Sequence, residues 1–160
     1  MAHITIEYII MIPVLILQIF LFPLWASWLM NIWVDSRRTL ALQEAASHIG
    51  SSIQQVYFVL NPATVAAQTL TQKLNVPPFI ENYKYAGNAT LKSILDPELV
   101  SNKVLEITLK LEDVGTIAKA TVILGSNVAW RESTFVSSAR ASCIIAEKLA
   151  NGTICLSFGG

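Results

Sequence analysis

Between Glu7 and Asp35 run 27 consecutive uncharged residues, apolar on nearly every side. A helix of about 20 apolar residues crosses a bilayer, so the stretch 8–34 is long enough to span one. No chain of this size has enough remaining surface to cover such a helix on all its faces, so its cover must come from lipid or from other copies. Glu7, the only Asp, Glu, Lys or Arg before Asp35, stands at the entrance to this segment. A charge in low dielectric costs free energy unless it is paired, so Glu7 calls for a partner.

The rest of the composition follows from that segment. The 160 residues are 53% apolar and 14% charged, against about 25% charged in an average soluble domain. A formal net charge of zero removes any electrostatic case for nucleic acid. The apolar excess lies in residues 4–34, which leaves about 125 residues for one modest globular core.

Helical patterning continues past Val34. Leu42, Ala45, Ala46, Ile49, Ile53, Val56, Tyr57 and Leu60 recur at three- and four-residue steps, the stripe of one helix face. The apolar pattern thus changes from all-round to one-sided. A helix whose first half is buried among copies of itself, and whose second half leans on its own globular domain, reads this way. Such a helix over 4–60 is roughly 85 Å long. Asn61-Pro62 supplies the stop, because the residue before proline is pushed out of the α region. Pro13 and Pro23 each remove a backbone hydrogen bond; they read either as kinks or as tolerated membrane-helix prolines.

Beyond Pro77-Pro78 the periodicity becomes strand-like, with strands expected at 81–92, 103–112, 117–124, 127–140 and 153–158. In the second, Leu105, Ile107, Leu109 and Leu111 alternate with Glu106, Thr108, Lys110 and Glu112, the pattern of a half-buried antiparallel sheet. Residues 63–74 read as a short helix or a connection, and 96–101 as a loop or one helical turn. The fold class is α+β: a long N-terminal hydrophobic helix, 1–60, followed by a small antiparallel β-domain, 61–160.

Two cysteines sit late, Cys143 and Cys155. A hairpin whose loop is 147–151 sets them opposite each other, close enough for a disulfide; the other reading is two small buried side chains in one sheet. An oxidising exterior favours the bridge. The sequons Asn88-Ala89-Thr90 and Asn151-Gly152-Thr153 point to the same side of a membrane as glycosylation acceptors, and Asn151-Gly152 is a turn signal with or without a sugar.

Catalytic chemistry finds little material. The two histidines, His3 and His48, lie 45 residues apart on one helix, and no Cys/His/Asp group has metal-ligand spacing. Ser137, Ser138 and Ser157 have no histidine close in sequence to activate them, and no glycine-rich phosphate loop is present. The expectation is a non-enzyme without catalytic residues, metal or cofactor. Trp25, Trp28 and Trp33 fit an interfacial belt or filament packing. Asp35, Arg37 and Arg38 read as the first solvated turn beyond the apolar core, with salt bridges to neighbours open to them.

The run Ile4-Thr5-Ile6-Glu7-Tyr8-Ile9-Ile10-Met11-Ile12-Pro13 resembles the N-terminus of type IV pilin-like subunits, in which an acid near the mature start precedes a hydrophobic polymerisation helix. The frame His3-Ile4-Thr5-Ile6-Glu7 is similar to the Gln-x-Ser-x-Glu of archaeal class III pilins and archaellins, with Thr5 keeping the hydroxyl and His3 in place of the Gln. Glu7-Tyr8 with Pro13, and Leu42-Gln43-Glu44-Ala45-Ala46, look like the Tad-type pseudopilins. Together these cover about the first third of the chain.

The resemblance implies the pilin lollipop, an extracellular homopolymer at the cell surface, and adhesion or attachment as the task. It implies residence in the cytoplasmic membrane before assembly, and a prepilin peptidase, an assembly ATPase and a membrane platform protein as partners. It further implies Glu7 as the polymerisation residue, at the fifth mature position after cleavage between Ala2 and His3. Nothing basic precedes the apolar run here, whereas pilin precursors carry a short basic leader. The alternative class is a single-pass membrane-anchored cell-surface binding protein with an extracellular β-domain.

Overall fold

The computed structural model describes the backbone of residues 2–93, 102–139 and 142–159, with helix side chains at residue 9 and from residue 11 onward. The expected 96–101 loop lies outside the described residues. A single helix, α1 (Ala2–Leu60), is followed by β1 (Thr69–Lys73), β2 (Tyr85–Ser93), β3 (Lys103–Leu111), β4 (Ile117–Leu124), β5 (Val128–Trp130), β6 (Thr134–Val136), β7 (Cys143–Lys148) and β8 (Ile154–Gly159). The architecture is α+β. Both Pro13 and Pro23 lie inside α1, which remains helical through them, and the helix ends one residue before Asn61-Pro62.

The chain divides into two compact units, Met1–Arg37 and Arg38–Gly160. The division falls inside α1 rather than at its end, so the globular unit includes the last turns of the helix as well as residues 61–160. The cause is the one-sided stripe. Leu42, Ala45, Ala46, Ile49, Ile53, Val56, Tyr57 and Leu60 are all buried, in one cluster with the sheets. Each fully buried Leu or Ile in that stripe contributes about 2 kcal/mol of transfer free energy. A β-carbon on Gly50 would lie 2.9 Å from Val122 Cγ2, so the absent side chain lets the helix backbone sit close against β4.

Two four-stranded sheets complete this unit, in the orders β1-β7-β8-β5 and β4-β3-β2-β6. All pairs are antiparallel except β5 with β8, which run parallel. Leu105, Ile107, Leu109 and Leu111 of β3 face inward, as their alternation predicts, and Ile144, Ala146, Ile154, Leu156 and Phe158 do so from the other sheet. Phe135 packs tilted against Tyr85 within its own sheet and against Phe158 of the other, and the second contact ties the two sheets together.

The strand expectations fail at four places. The strand expected over 81–92 starts only at Tyr85, after a tight turn at 81–82, and β7 lies outside the five expected strands. Residues 69–73 form an edge strand on β7, not a helix or a connection; Thr69-Leu70-Thr71-Gln72-Lys73 lies half in solvent and carries no apolar alternation to reveal it. The single strand expected over 127–140 is two short strands in different sheets, with β5 on β8 and β6 on β2. Ser133 fastens the crossing between them: its hydroxyl donates to the Arg131 carbonyl at 3.0 Å and accepts from the Phe158 amide at 2.8 Å.

Candidate functional site

The apolar segment is the candidate site. At residue 9 and from residue 11 to residue 34 α1 presents large apolar side chains in every direction, among them Phe20, Phe22 and Leu24 at 69%, 68% and 67% exposure. The most apolar 18-residue window of the described helix has a mean hydropathy of 1.9, and none of it is buried by its own unit. Scattered apolar side chains are ordinary on a soluble surface, but a continuous sleeve is far beyond the few hundred Å² that a soluble monomer exposes. By length and composition the N-terminal helix is long and apolar enough to cross a membrane, and a β-domain follows it. Glu7 lies on this helix, as do Ala2 and His3, with side chains outside the described residues.

Charge begins where the sleeve ends. The Arg37 guanidinium stacks on the Trp33 ring at 4.9 Å, which covers apolar surface with a cation that still reaches water. Arg38 belongs to the globular unit. Its Nε donates to Glu81 Oε2 at 2.7 Å, and its guanidinium lies 5.2 Å from the Tyr83 ring centre. Both partners come from the tight turn Ile80-Glu81-Asn82-Tyr83, closed by reciprocal backbone bonds between Ile80 and Tyr83. Positive φ at both Glu81 (48°) and Asn82 (73°) is the signature of a type I′ turn. A non-glycine residue held there at a cost of about 1–2 kcal/mol marks a turn fixed by what it presents, here the acid for Arg38. The sequence allows Arg38 a salt bridge to a neighbour but does not single out Glu81 as the partner.

The cysteines are not bridged. In the β7–β8 pairing Cys143 faces Gly159 and Cys155 faces Glu147, and both thiols are free. Four residues of strand, about 13 Å, separate the two positions, whereas a disulfide needs Cα atoms within about 7 Å. The expected register is wrong because the loop is Ala150-Asn151-Gly152, not 147–151. Leu149 N–H donates to the Thr153 carbonyl and Gly152 N–H to the Leu149 carbonyl. Gly152 takes a φ of 82°, and Asn151 Oδ1 accepts from the Thr153 amide at 3.0 Å. This is the three-residue hairpin loop with a left-handed glycine.

The two sequons occupy different settings. Asn151 is exposed at that hairpin tip, while Asn88 is exposed in the middle of β2, opposite Thr108 of β3 and Thr134 of β6. Beside Asn88 a groove of about 570 Å³ opens where the chain crosses from one sheet to the other, lined on one side by Asn88, Thr90 and Leu91 and on the other by Trp130, Glu132 and Thr134. The Trp130 ring packs edge-on against Phe158 at 5.0 Å. Its Nε1 is the one buried side-chain N or O among the described residues without a hydrogen-bond partner, a deficit that costs about 1–3 kcal/mol.

On the same face of this sheet, Lys119 and Lys92 both donate to the carboxylate of Glu106, the former at 2.7 Å. These bonds, Lys119's first, hold the Glu106 carboxyl down at about 2. Among the described residues no three His, Cys, Asp or Glu side chains cluster closely enough to hold a metal ion.

No family model, curated protein or solved structure matches the chain.

Proposed function

We propose that the chain is a structural subunit of an extracellular filament of the type IV pilus kind, assembled through its N-terminal helix and serving attachment to surfaces. The observation that carries this reading is the uncovered apolar sleeve of α1, continuous with helical turns that are buried on one side only. Copies stacked along their first halves bury the sleeve, and the β-domain then forms the filament surface. Glu7 supplies the second support. A lasting membrane anchor has no use for an acid in its apolar end, whereas in a stack of helices the carboxylate meets the amine of an adjacent subunit or another donor at its depth, and a pair costs less there than either charge alone.

On this reading the subunit waits in the cytoplasmic membrane, a prepilin peptidase cuts between Ala2 and His3, and an ATPase-driven machine on a membrane platform extracts it. Electron microscopy of material sheared from cells tests the proposal. Long thin fibres containing this chain are expected, and Glu7→Ala subunits should reach the membrane at normal levels yet enter fibres poorly. A chain that stays in the membrane fraction as single subunits, with no fibres, identifies the anchored binding protein instead.

A further inference from the structure

We propose that the groove between Asn88 and Trp130 is a saccharide-binding site. It is built by topology rather than by a local motif: β2 supplies Asn88, Thr90 and Leu91, and the crossing from β5 to β6 brings Trp130, Glu132 and Thr134 against them. Thr134 and Asn88 are register partners on neighbouring strands, so a hydroxyl and an amide stand side by side on the open face. The lining is divided between apolar and polar surface. A sugar ring has the matching division, with C–H faces for the indole and Leu91 and hydroxyls for the amide, the threonines and the carboxylate.

Two observations point to a ligand instead of a solvated crevice. The Trp130 Nε1–H is buried without a hydrogen-bond partner among the described residues, and Trp130 itself lines the groove. Asn88 and Thr90, both on the rim, belong to the Asn-Ala-Thr sequon and are both exposed, so the same groove lies where a glycan on Asn88 would begin. One ligand chemistry therefore has two sources, a sugar attached to Asn88 or a free one from outside.

The four tryptophans give four indole N–H signals in a nuclear magnetic resonance spectrum of the full-length chain held in a detergent without a sugar headgroup. Trp130→Phe identifies the signal of Trp130. In unglycosylated chain, glucose, galactose and N-acetylglucosamine are added in turn. A saturable shift of the Trp130 signal with at least one of them, weakened about tenfold in Glu132→Gln or Thr134→Ala, establishes binding of a free sugar. Both of those side chains are exposed, so these variants keep the fold even if Trp130→Phe does not.

In chain purified from its native source, a mass increment abolished by Asn88→Gln reports an attached glycan. The Trp130 signal should then stand shifted without added sugar and return on deglycosylation. A Trp130 signal that responds to none of the three sugars and to no glycan on Asn88, including the case where Asn88 carries none, overturns the proposal. Filament formation is read separately by microscopy, so failure here leaves the assembly proposal intact.

Discussion

Lys148 occupies an inward-facing position of β7, and its Nζ donates to the Pro62 carbonyl 2.7 Å away. The chain leaving α1 is thereby tied to the strand farthest from it in sequence but one. The ammonium satisfies a carbonyl just past the helix end, while the aliphatic stem fills a place in the core. Lys148→Ala removes both and should cost about 3 kcal/mol in chemical unfolding of the β-domain. Lys148→Met keeps the stem and should cost about 1–2 kcal/mol less, the remaining loss being the unsatisfied carbonyl. Equal losses in the two variants would show that the stem contributes nothing.

Removal of residues 1–34 should yield a soluble, folded monomer, because the compact unit Arg38–Gly160 contains the whole buried cluster. The full chain should need detergent or assembly to stay in solution. Size-exclusion chromatography and circular dichroism check both; an aggregated or unfolded fragment would mean that the sleeve is needed for the β-domain to fold.

Glu106 should titrate far below an ordinary glutamate, at about 2. Its folded-state value is lowered, so the stability it contributes is present above the usual carboxylate range and is lost as pH falls from about 4.5 towards 2. Carboxyl chemical shifts should report this midpoint, and Lys119→Ala should raise it more than Lys92→Ala. Added salt should raise it too, since these charges face solvent. A midpoint in the ordinary range would show that the two lysines do not hold the carboxylate in solution.

Alkylation without reductant should label both Cys143 and Cys155, giving a mass increment of two adducts on the unfolded chain. The Cys143 thiol rests against the Gly159 carbonyl at 3.5 Å, and no partner thiol stands opposite it. An unlabelled pair that reacts only after reduction would require a β7–β8 register different from the one described.

Sequence periodicity was a sufficient guide wherever burial had one cause. The stripe from Leu42 to Leu60 and the alternation through β3 could be read because each element buries a single face against a single core. The β5–β6 break could not. Its signal is one serine hydroxyl, Ser133, whose meaning depends on Phe158 in β8, 25 residues away. The Cys143–Cys155 error has a similar origin. The turn dipeptide Asn151-Gly152 was recognised, but the loop length that sets the register rests on the left-handed φ of Gly152, and a shift of two residues on each strand moved both cysteines out of reach. Arg38 and Glu81 are 43 residues apart, and only the turn that presents Glu81 makes them a pair. The groove beside Asn88 was equally invisible, since no one segment contains more than half of it.

The place of β8 bears on how the chain is made. This strand is the last in chain order, yet it lies between β7 and β5 and joins them. The first sheet therefore has no interior until residues 154–159 have been synthesised. At about 5–20 residues per second, the apolar sleeve leaves the ribosome on the order of ten seconds before its own β-domain can close. During that interval the second half of α1 and strands β1 to β7 are made, including every strand of the second sheet, while the first sheet still lacks the strand that joins β7 to β5. Joining β7 to β5 through β8 is therefore the last pairing that synthesis permits, and the first sheet closes onto a second sheet whose strands are all already made.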